Sequence, residues 1–448
     1  MLKYCRMTFK ELNLSPPLLN VLEELGYNIP TPIQEKVFAK TMSGCDVCGI
    51  AQTGTGKTLA YLLPVLRQWK FSKDKNPQIL IVVPTRELVV QVVEIAKKLS
   101  KYLSLEVAGV YGGTNINTQR IEVQKGVDVL VATPGRLYDL ALNGAFKTRD
   151  IKKLVIDEVD EMLNLGFRTQ LKNILDLLPP KRQNLLFSAT LTSEVEELMK
   201  TYFNSPVKIE AAPTGTPLEN IRQSAFEVPN YNTKVNLLNY LFDNDESMNK
   251  VLVFTASKQL ADQLYESISE KYAESAGVIH SNKEQNHRFR TVENFKNGTY
   301  RFIIATDIVA RGIDVASVSH VINFDLPVIA ENYMHRIGRT GRADRDGIAI
   351  SFIMPKDIGS KNLIEALMNY SIPIESLPEG VSISDVLTED EIPKVYMKEI
   401  ALKKPKKEDV GPSFHEKSAK NKKVNFTMSR KDKMMMKYGK PKTRGQKK

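Results

Sequence analysis

The chain has 448 residues, of which 42% are hydrophobic, and its formal net charge is +11. This length predicts about three domains, and the composition is sufficient for ordinary hydrophobic cores. Apolar runs such as 79–83 are far shorter than the roughly 18 residues of a membrane span, and the start lacks the apolar region of a secretory signal. Three cysteines do not make a disulfide framework, so we expect a soluble cytoplasmic protein with no membrane association.

The positive charge is concentrated at the carboxyl terminus. Residues 403–448 contain 17 Lys and Arg against four Asp and Glu, so the first 402 residues have a net charge of −2. The segment has few branched aliphatic residues, which predicts a disordered basic tail. A polyanion such as nucleic acid is its expected partner, since Phe414, Phe426 and Tyr438 interleave with the basic residues. The alternative is a tail that only confers solubility.

In the first half of the chain, short apolar segments are repeatedly followed by short polar motifs. In chain order, VCGI precedes AQTGTGKT, ILIVV precedes PTREL, VDVLVA precedes TPGR, KLVI precedes DEVD, and NLLF precedes SAT. Short apolar runs that alternate with helical patterns predict buried parallel strands. Ligands of such sheets bind beyond the carboxyl ends of the strands, where every one of these signatures falls.

The same pattern begins again in the second half of the chain, with apolar runs between residues 251 and 353. We therefore predict an α/β protein with two tandem domains, each a doubly wound parallel sheet, which face each other across a cleft. This architecture resembles that of RecA-like domains. The predicted limits are 1–210 for the first domain, 211–220 for a linker, 221–370 for the second domain, 371–402 for an auxiliary extension and 403–448 for the tail.

The stretch AQTGTGKT has the Gly-Lys-Thr end of a phosphate-binding loop, with Ala51 where the general pattern has its first glycine. Gly54 and Gly56 permit a tight loop whose backbone N–H groups surround phosphate oxygens at a helix amino terminus. Lys57 is expected to reach the β- and γ-phosphates, and the Thr58 hydroxyl to bind Mg²⁺.

Four carboxylates follow the apolar run in LVIDEVDEML. Asp157 is placed to hold Mg²⁺ from the side opposite the phosphate loop, and Glu158 to orient or deprotonate the attacking water. Asp160 is too far along to share the ion and is expected to contact another element. Glu161 fits a solvated position in the first turn of the next helix.

The second half supplies positive charge in HRIGRTGR. Arg339 and Arg342 are three residues apart and share one face of a helix or turn. Arginines that arrive from a partner domain stabilise the charge that develops on the γ-phosphoryl group. Their origin in the second domain predicts that hydrolysis requires the cleft to close.

The Cys45 and Cys48 pair has CxxC spacing, typical of metal or redox sites. A structural zinc needs four ligands, and no second Cys/His pair has suitable spacing. We therefore interpret both cysteines as small buried or half-buried side chains.

Taken in order, these motifs resemble the DEAD-box family of ATP-dependent RNA helicases over about residues 7–355. The resemblance implies a Q motif in which Gln34 reads the adenine edge, Thr31 assists and Phe9 packs near the base. It implies nucleotide contacts throughout the phosphate loop and in ARGID, namely Ala51, Gln52, Thr53, Gly54, Thr55, Gly56, Lys57, Thr58, Gly312 and Asp314.

The resemblance also implies RNA contacts and coupling residues. The implied RNA-binding positions are Pro84, Thr85, Arg86, Gly113, Thr133, Gly135 and Arg136 in the first domain and Gln285, Arg288 and Thr306 in the second. Coupling between hydrolysis and unwinding is implied for Asp160, Ser188, Thr190 and His335, and the arginine fingers correspond to Arg339 and Arg342.

One position departs from the family pattern, because Val159 stands where the family has alanine in DEAD. Both catalytic acids remain, so we expect hydrolysis to persist. Two extra methyl groups are expected to crowd the coupling residues, since overpacking typically costs about 1–3 kcal/mol. The short start and basic tail look most like bacterial RhlE-type members.

These observations favour an RNA-dependent ATPase that uses ATP and Mg²⁺ and unwinds short RNA duplexes, with a monomeric core and possible ribonucleoprotein partners. RNA contacts are expected to be largely independent of sequence, because threonine, arginine and backbone N–H groups suit phosphates and 2′-hydroxyls. The alternative is an ATP-gated RNA clamp or ribonucleoprotein assembly factor with little unwinding. A translocating DNA helicase is disfavoured by the resemblance to the Q motif.

Overall fold

The fold is described from a computed structural model of the chain. Residues 7–51, 54–210, 220–307, 318–341, 346–392 and 428–439 are described. Met1–Ile392 form one compact unit that contains two sheets, and Pro393–Lys448 form another.

The first sheet and its helices occupy residues 16–210. Its strands are β1 (Val47–Ile50), β2 (Ile79–Val82), β3 (Val107–Val110), β4 (Val129–Ala132), β5 (Lys153–Ile156), β6 (Gln183–Ser188) and β7 (Val207–Glu210). Its helices are α1 (Pro16–Glu24), α2 (Pro32–Met42), α3 (Lys57–Arg67), α4 (Arg86–Leu99), α5 (Ile116–Gln124), α6 (Pro134–Leu142), α7 (Val159–Asn164), α8 (Arg168–Leu177) and α9 (Ser193–Tyr202).

The second sheet and its helices occupy residues 221–375. Its strands are β8 (Ile221–Glu227), β9 (Val251–Phe254), β10 (Ala276–Ile279), β11 (Phe302–Ala305), β12 (His320–Asn323), β13 (Gly347–Ile353) and β14 (Ile374–Glu375). Its described helices are α10 (Tyr231–Asn244), α11 (Lys258–Tyr272), α12 (Gln285–Lys296), α13 (Ala330–Ile337) and α14 (Ile358–Met368).

The two sheets have the same topology. The strand order is β3-β4-β2-β5-β6-β1-β7 in the first and β10-β11-β9-β12-β13-β8-β14 in the second, and adjacent strands are parallel. Each strand of the second sheet therefore occupies the place of the strand seven earlier. The predicted α/β fold with two doubly wound parallel sheets is confirmed.

Local sequence explains why these elements form. The four residues of strands such as β2 and β4 are all buried, as expected for strands covered by helices on both faces. Helices α1, α2 and α6 begin with proline, whose missing N–H is not needed in the first turn. The Thr85 hydroxyl caps α4 by accepting a hydrogen bond from the Leu88 N–H at 3.3 Å.

Part of the predicted extension, 371–402, packs on the second sheet. Strand β14 lies within this segment and takes the edge position that β7 has in the first sheet. The following residues run along α10, where Asn232 and Asn236 donate side-chain hydrogen bonds to the Val386 and Ser382 carbonyls, each at 2.8 Å. The second sheet is thus completed by residues beyond 370.

The described part of the predicted disordered tail is helical. Residues Arg430–Tyr438 form α15, whose side chains are all exposed. The Ser429 hydroxyl caps the helix by accepting a hydrogen bond from the Asp432 N–H at 3.3 Å. The helix at these nine residues differs from the predicted disorder, and its Lys, Arg and Met residues have high intrinsic helix propensity.

Among the described helices, none is long and apolar enough to cross a membrane.

Candidate functional site

The phosphate loop connects the end of β1 to the amino terminus of α3. Gly54 and Gly56 have φ values of +86° and +88°, in the left-handed region that glycine adopts without strain. A Cβ atom on Gly56 would lie 2.4 Å from the Gln34 side-chain nitrogen, so the loop also has no room for a larger residue. Ala51 is buried at the end of β1, where its N–H donates to the Ser188 carbonyl at 3.0 Å.

The predicted Q motif contacts the phosphate loop directly. The Gln34 amide donates to the Gly56 carbonyl at 3.1 Å, and the Thr31 hydroxyl donates to the Thr55 carbonyl at 2.9 Å. Gln34 also accepts a hydrogen bond from the Thr31 N–H at 2.9 Å, which completes a capping box at the start of α2. Gln34 therefore supports the loop in this structure. Phe9 lies in the hydrophobic core of the first domain, with 3% of its surface exposed.

The predicted catalytic acids lie at the carboxyl end of β5. Asp157 and Glu158 are both buried, and Glu158 has a left-handed backbone with φ of 53°. Burial raises the pKa of the Asp157 carboxyl, and the positive charge of Lys57 opposes that rise. Burial also raises the pKa of Glu158, with a contribution from Asp157, while Lys57 and Arg339 oppose it. A strained, buried carboxylate of this kind is suited to proton transfer.

Asp160 connects the acidic motif to the SAT segment. One of its oxygens accepts hydrogen bonds from the Ala189 N–H at 3.0 Å, the Thr190 N–H at 2.9 Å and the Thr190 hydroxyl at 3.0 Å. The Ser188 hydroxyl donates to the Thr190 carbonyl at 2.7 Å. Val159 is fully buried and does not prevent these contacts.

Glu161 is the residue for which the sequence interpretation is wrong. It was expected on a solvated face, but only 2% of its surface is exposed. The short helix α7 packs against β6 and α9, so its first turn is covered by neighbouring elements rather than by water.

The residues at this edge fit a nucleotide and a magnesium ion. Lys57 Nζ and Glu158 Oε2 are buried, and neither has a hydrogen-bond partner among the described residues. A triphosphate and a water molecule would satisfy these atoms, because buried charged groups require partners. The Thr58 hydroxyl and Asp157 carboxylate are oxygen donors of the kind that Mg²⁺ prefers.

In the first domain, the predicted RNA-binding residues follow β2, β3 and β4. Pro84 and Thr85 are buried at the start of α4. Thr133 directly precedes α6, and a Cβ atom built on Gly135 would meet no described atom within 4 Å. The Arg136 guanidinium donates to the Gln119 side chain at 2.5 Å and to the Thr114 carbonyl at 2.8 Å. Burial lowers its pKa.

Gly113 makes room for Arg86. Its φ of +80° is left-handed, and a Cβ atom built there would lie 2.2 Å from the guanidinium of Arg86. The glycine is therefore required by close approach as well as by backbone conformation.

Two predicted RNA-binding residues of the second domain contact the first domain instead of standing apart. Arg86 donates to the Gln285 side-chain oxygen at 2.8 Å, and Gln285 donates to Glu87 at 3.3 Å. Arg288 forms an ion pair with Glu87 at 2.5 Å, in which the side chains are 8% and 5% exposed. Sequence reasoning did not assign Glu87, although it lies within PTREL and has the charge opposite to Arg288.

The arginine-rich motif occupies α13 and the turn after it. His335 and Arg339 are both buried, and the Arg339 side chain donates to the His335 carbonyl at 3.2 Å. The charge of Arg339 opposes the rise in the pKa of Glu158 in the first domain. One predicted arginine finger thus acts on the predicted catalytic acid.

Arg336, which sequence reasoning did not assign, connects several segments of the second domain by hydrogen bonds. It is 2% exposed and forms an ion pair with Asp307, at 2.5 Å and 2.9 Å between paired atoms. Its remaining terminal nitrogen donates to the Asn323 side chain at 3.3 Å and the Asp325 carbonyl at 2.6 Å. Because Asp307 directly follows the predicted RNA-binding Thr306, this pair connects the RNA-binding loop to the arginine-rich helix.

A second buried ion pair lies beside it. Lys234 is fully buried on α10, where it donates to Asp325 at 2.8 Å and to the Phe324 carbonyl at 2.6 Å. The sequence does carry a signal for this residue. Leu237 and Leu238 follow at helical spacing, which places Lys234 on the apolar face of its helix.

Several predicted site residues lie outside the described residues: Gln52, Thr53, Gly312, Asp314 and Arg342.

The CxxC cysteines have the environment of packing residues. Cys48 is fully buried within β1, and this burial raises the pKa of its thiol to about 11. Cys45 is half-buried, with its sulfur 3.5 Å from the Ser43 hydroxyl. Across the described part of the chain, no group of three or more His, Cys, Asp or Glu side chains is arranged to hold a metal ion.

Comparison with known families matches most of both domains. Residues 31–198 match the family described as DEAD/DEAH box helicase, and residues 233–344 match the helicase conserved C-terminal domain.

Named relatives and solved structures agree with these matches. The chain is 36% identical to the ATP-dependent RNA helicase RhlB of Shewanella frigidimarina, over 84% of this chain and 88% of that protein. It is 37% identical to the ATP-dependent RNA helicase eIF4A of Kluyveromyces lactis, over 84% and 93%. S. cerevisiae Dbp5 bound to RNA and ADP BeF3 has a TM-score of 0.76 and 29% identity, over 83% of this chain and 96% of that one. The similarity to RhlE-type members stays a prediction, but the chain belongs to the DEAD-box family of ATP-dependent RNA helicases.

Proposed function

We propose that the chain hydrolyses ATP in the cleft between its two domains, with Mg²⁺, and that RNA binding across both domains drives this hydrolysis and separates short duplexes. The observation that carries this proposal is the set of contacts between the domains. Arg86 and Glu87 of the first domain contact Gln285 and Arg288 of the second, and the charge of Arg339 reaches Glu158.

At the nucleotide, each group has a distinct task. The backbone of the phosphate loop and Lys57 bind the phosphates, and Glu158 orients and deprotonates the attacking water. Thr58 and Asp157 would hold Mg²⁺, which when bound neutralises charge on the phosphate oxygens. Arg339 from the second domain stabilises the negative charge that develops on the γ-phosphoryl group.

At the RNA, the arrangement supports recognition of the backbone. The predicted contacts follow strand ends in both sheets, and eight of the ten residues are arginine, threonine or glycine, which suit phosphates and sugars better than base edges. A single strand that contacts both domains is bound most tightly when the domains are together. RNA and ATP therefore favour the same arrangement and increase each other's affinity.

The alternative of an ATP-gated clamp with little unwinding depends on whether Val159 disturbs coupling. Val159 is buried, and Asp160 still makes three hydrogen bonds to the SAT segment at 2.9–3.0 Å. These contacts support unwinding over passive clamping, because the link from the acidic motif to β6 is intact.

The test is steady-state ATP hydrolysis with no nucleic acid, with single-stranded RNA and with DNA of the same sequence. Glu158→Gln provides the inactive control, and Glu194→Gln, at an exposed ion pair of the same domain, provides the matched active control. Stimulation by RNA alone is the expected result. Equal stimulation by DNA would favour a DNA translocase, and hydrolysis indifferent to both polymers would reject RNA-driven closure. Strand separation of a short labelled RNA duplex then distinguishes unwinding from clamping.

A further inference from the structure

Tyr61 is a buried polar residue next to the nucleotide site that the helicase mechanism does not use. It lies on α3, four residues after Lys57 and three after Thr58, so the three side chains share one side of the helix. None of its surface is exposed. Its ring packs against Phe187, with ring centres 5.3 Å apart.

The surroundings of the Tyr61 hydroxyl are charged rather than apolar. It lies beside the Thr58 hydroxyl and the Asp157 carboxylate, with the charge of Glu158 nearby. Burial is the main cause that raises the pKa of this phenol well above its usual value, and both carboxylates add to the rise. A tyrosine hydroxyl carries its proton at neutral pH and can donate a hydrogen bond.

Among the described residues, the Thr58 hydroxyl and the Asp157 carboxylate are near enough to interact with this hydroxyl. The Tyr61 oxygen makes no hydrogen bond of regular geometry with any described residue, and Lys57 Nζ and Glu158 Oε2 share that condition. A buried tyrosine hydroxyl usually has a partner, because burying it alone costs roughly 1–3 kcal/mol. Lys57, Glu158 and Tyr61 all lie on the elements that form the proposed nucleotide site. Their unpaired polar atoms indicate groups that complete their hydrogen bonds when nucleotide and Mg²⁺ bind.

Asp157 is the acceptor that this donor suits. One Asp157 oxygen already accepts the Glu158 N–H at 2.9 Å. A second hydrogen bond would restrict rotation of this carboxylate, and a metal ligand must present its oxygen in a fixed direction. Hydrogen bonds to a ligating carboxylate provide that orientation and commonly change metal affinity by 10–100-fold.

We propose that Tyr61 is a positioning residue of the magnesium site, whose hydroxyl donates to the Asp157 carboxylate and holds it in the orientation that binds the ion. The proposal rests on the proposed role of Asp157 as a magnesium ligand. It assigns the hydroxyl to the site and leaves only the ring to core packing against Phe187.

Tyr61→Phe is the appropriate change, because it removes one oxygen and keeps the ring. The full-length variant is titrated with Mg²⁺ in the presence of a fluorescent ADP analogue, and binding is followed by the fluorescence of the nucleotide. Tyr202→Phe is the matched control, since the Tyr202 hydroxyl donates to the Asp176 carboxylate at 2.9 Å elsewhere in the same domain. Asp157→Asn reports whether the proposed magnesium site itself exists.

The expected result is that Tyr61→Phe raises the Mg²⁺ concentration at half-saturation by about tenfold, the lower end of the range for such partners. Binding of the nucleotide in EDTA stays at the wild-type level, and Tyr202→Phe titrates as wild type. A Tyr61→Phe titration equal to wild type, while Asp157→Asn loses its response, overturns the role of Tyr61 and leaves the magnesium site standing. If Tyr61→Phe weakens nucleotide binding equally with Mg²⁺ and in EDTA, the positioning role of Tyr61 is overturned in favour of a packing role. If nucleotide binding by the wild-type protein does not depend on Mg²⁺, both the magnesium-ligand role of Asp157 and the positioning role of Tyr61 are overturned.

Discussion

The ion pair between Glu87 and Arg288 provides the most direct test of closure, because it joins the two domains. Both side chains are more than nine-tenths buried, and the paired atoms are 2.5 Å apart. Glu87→Gln keeps the shape of the side chain but leaves the Arg288 charge without its counterion. Loss of one partner of a buried, hydrogen-bonded pair at an interface costs roughly 2–5 kcal/mol. We take about 3 kcal/mol, which corresponds to about a 100-fold weaker association of the domains.

The assay is fluorescence anisotropy of labelled single-stranded RNA, with and without ADP and beryllium fluoride. We expect Glu87→Gln to weaken RNA binding by about 100-fold when the nucleotide complex is present. RNA binding without nucleotide should change little, because it does not require the domains to meet. Arg168→Gln is the matched control, since Arg168 forms an exposed pair with Glu197 that is worth less than about 1 kcal/mol.

A double-mutant cycle with Arg288→Gln makes this reasoning refutable. If the two residues act through each other, the double variant should bind RNA no more weakly than the weaker single variant. Two results would show that the residues contact RNA independently. One is a double variant whose loss of RNA affinity equals the sum of the two single losses, and the other is an equal loss of RNA affinity for Glu87→Gln when nucleotide is absent.

Four further outcomes are expected from the described contacts and the chain's charge. Asp160→Ala should retain ATP binding but lose at least about tenfold in duplexes unwound per ATP, because hydrogen bonds to a charged acceptor are worth roughly 1.5–3 kcal/mol each; unchanged unwinding per ATP would contradict the coupling role. Gly113→Ala should weaken RNA binding about tenfold by displacing the neighbouring guanidinium, whereas Gly144→Ala, also left-handed but with open space around it, should not; filter binding compares them. Cys48 should resist maleimide at pH 8 in the native protein, because a pKa of about 11 leaves about 0.1% thiolate, and mass spectrometry of labelled peptides would reveal otherwise. Removal of residues 403–448 should reduce the log–log salt slope of single-strand RNA binding by roughly 3.5 if about five of its charges contact phosphates, and an unchanged slope would indicate a tail that only confers solubility.

The fold was predictable because the central strands of both sheets are buried on both faces. A strand such as β2 or β4 must then be a short, uninterrupted apolar run, and the polar residues after it mark the sheet edge where ligands bind. Strand β14 has two residues and two exposed side chains, so it carries no comparable pattern. Its place is decided by pairing with β8, which is a tertiary contact.

The family resemblance implies which residues form the site, but it does not indicate their contacts. It implies roles for Gln34 and Ser188, yet it does not indicate that the Gln34 side chain bonds to the phosphate loop and that the Ser188 hydroxyl bonds within its own turn. Glu161 has the composition of a helix start in water, and only the packing of α7 buries it. Hydrogen-bond partners and burial depend on which elements meet, and a linear pattern does not contain that information.

The contact between Gln34 and the phosphate loop has a thermodynamic consequence. Its side-chain nitrogen donates to the Gly56 carbonyl, and its oxygen accepts from the Thr31 N–H. A nucleotide base that forms a hydrogen bond with the Gln34 side chain would replace one of these two bonds. The phosphate loop would then lose or alter its contact with Gln34. If a base contacts Gln34 in this way, base identity and loop conformation are linked, and the linkage is reciprocal. A nucleotide whose base cannot engage Gln34 would leave the loop in its resting state, however well its phosphates fit.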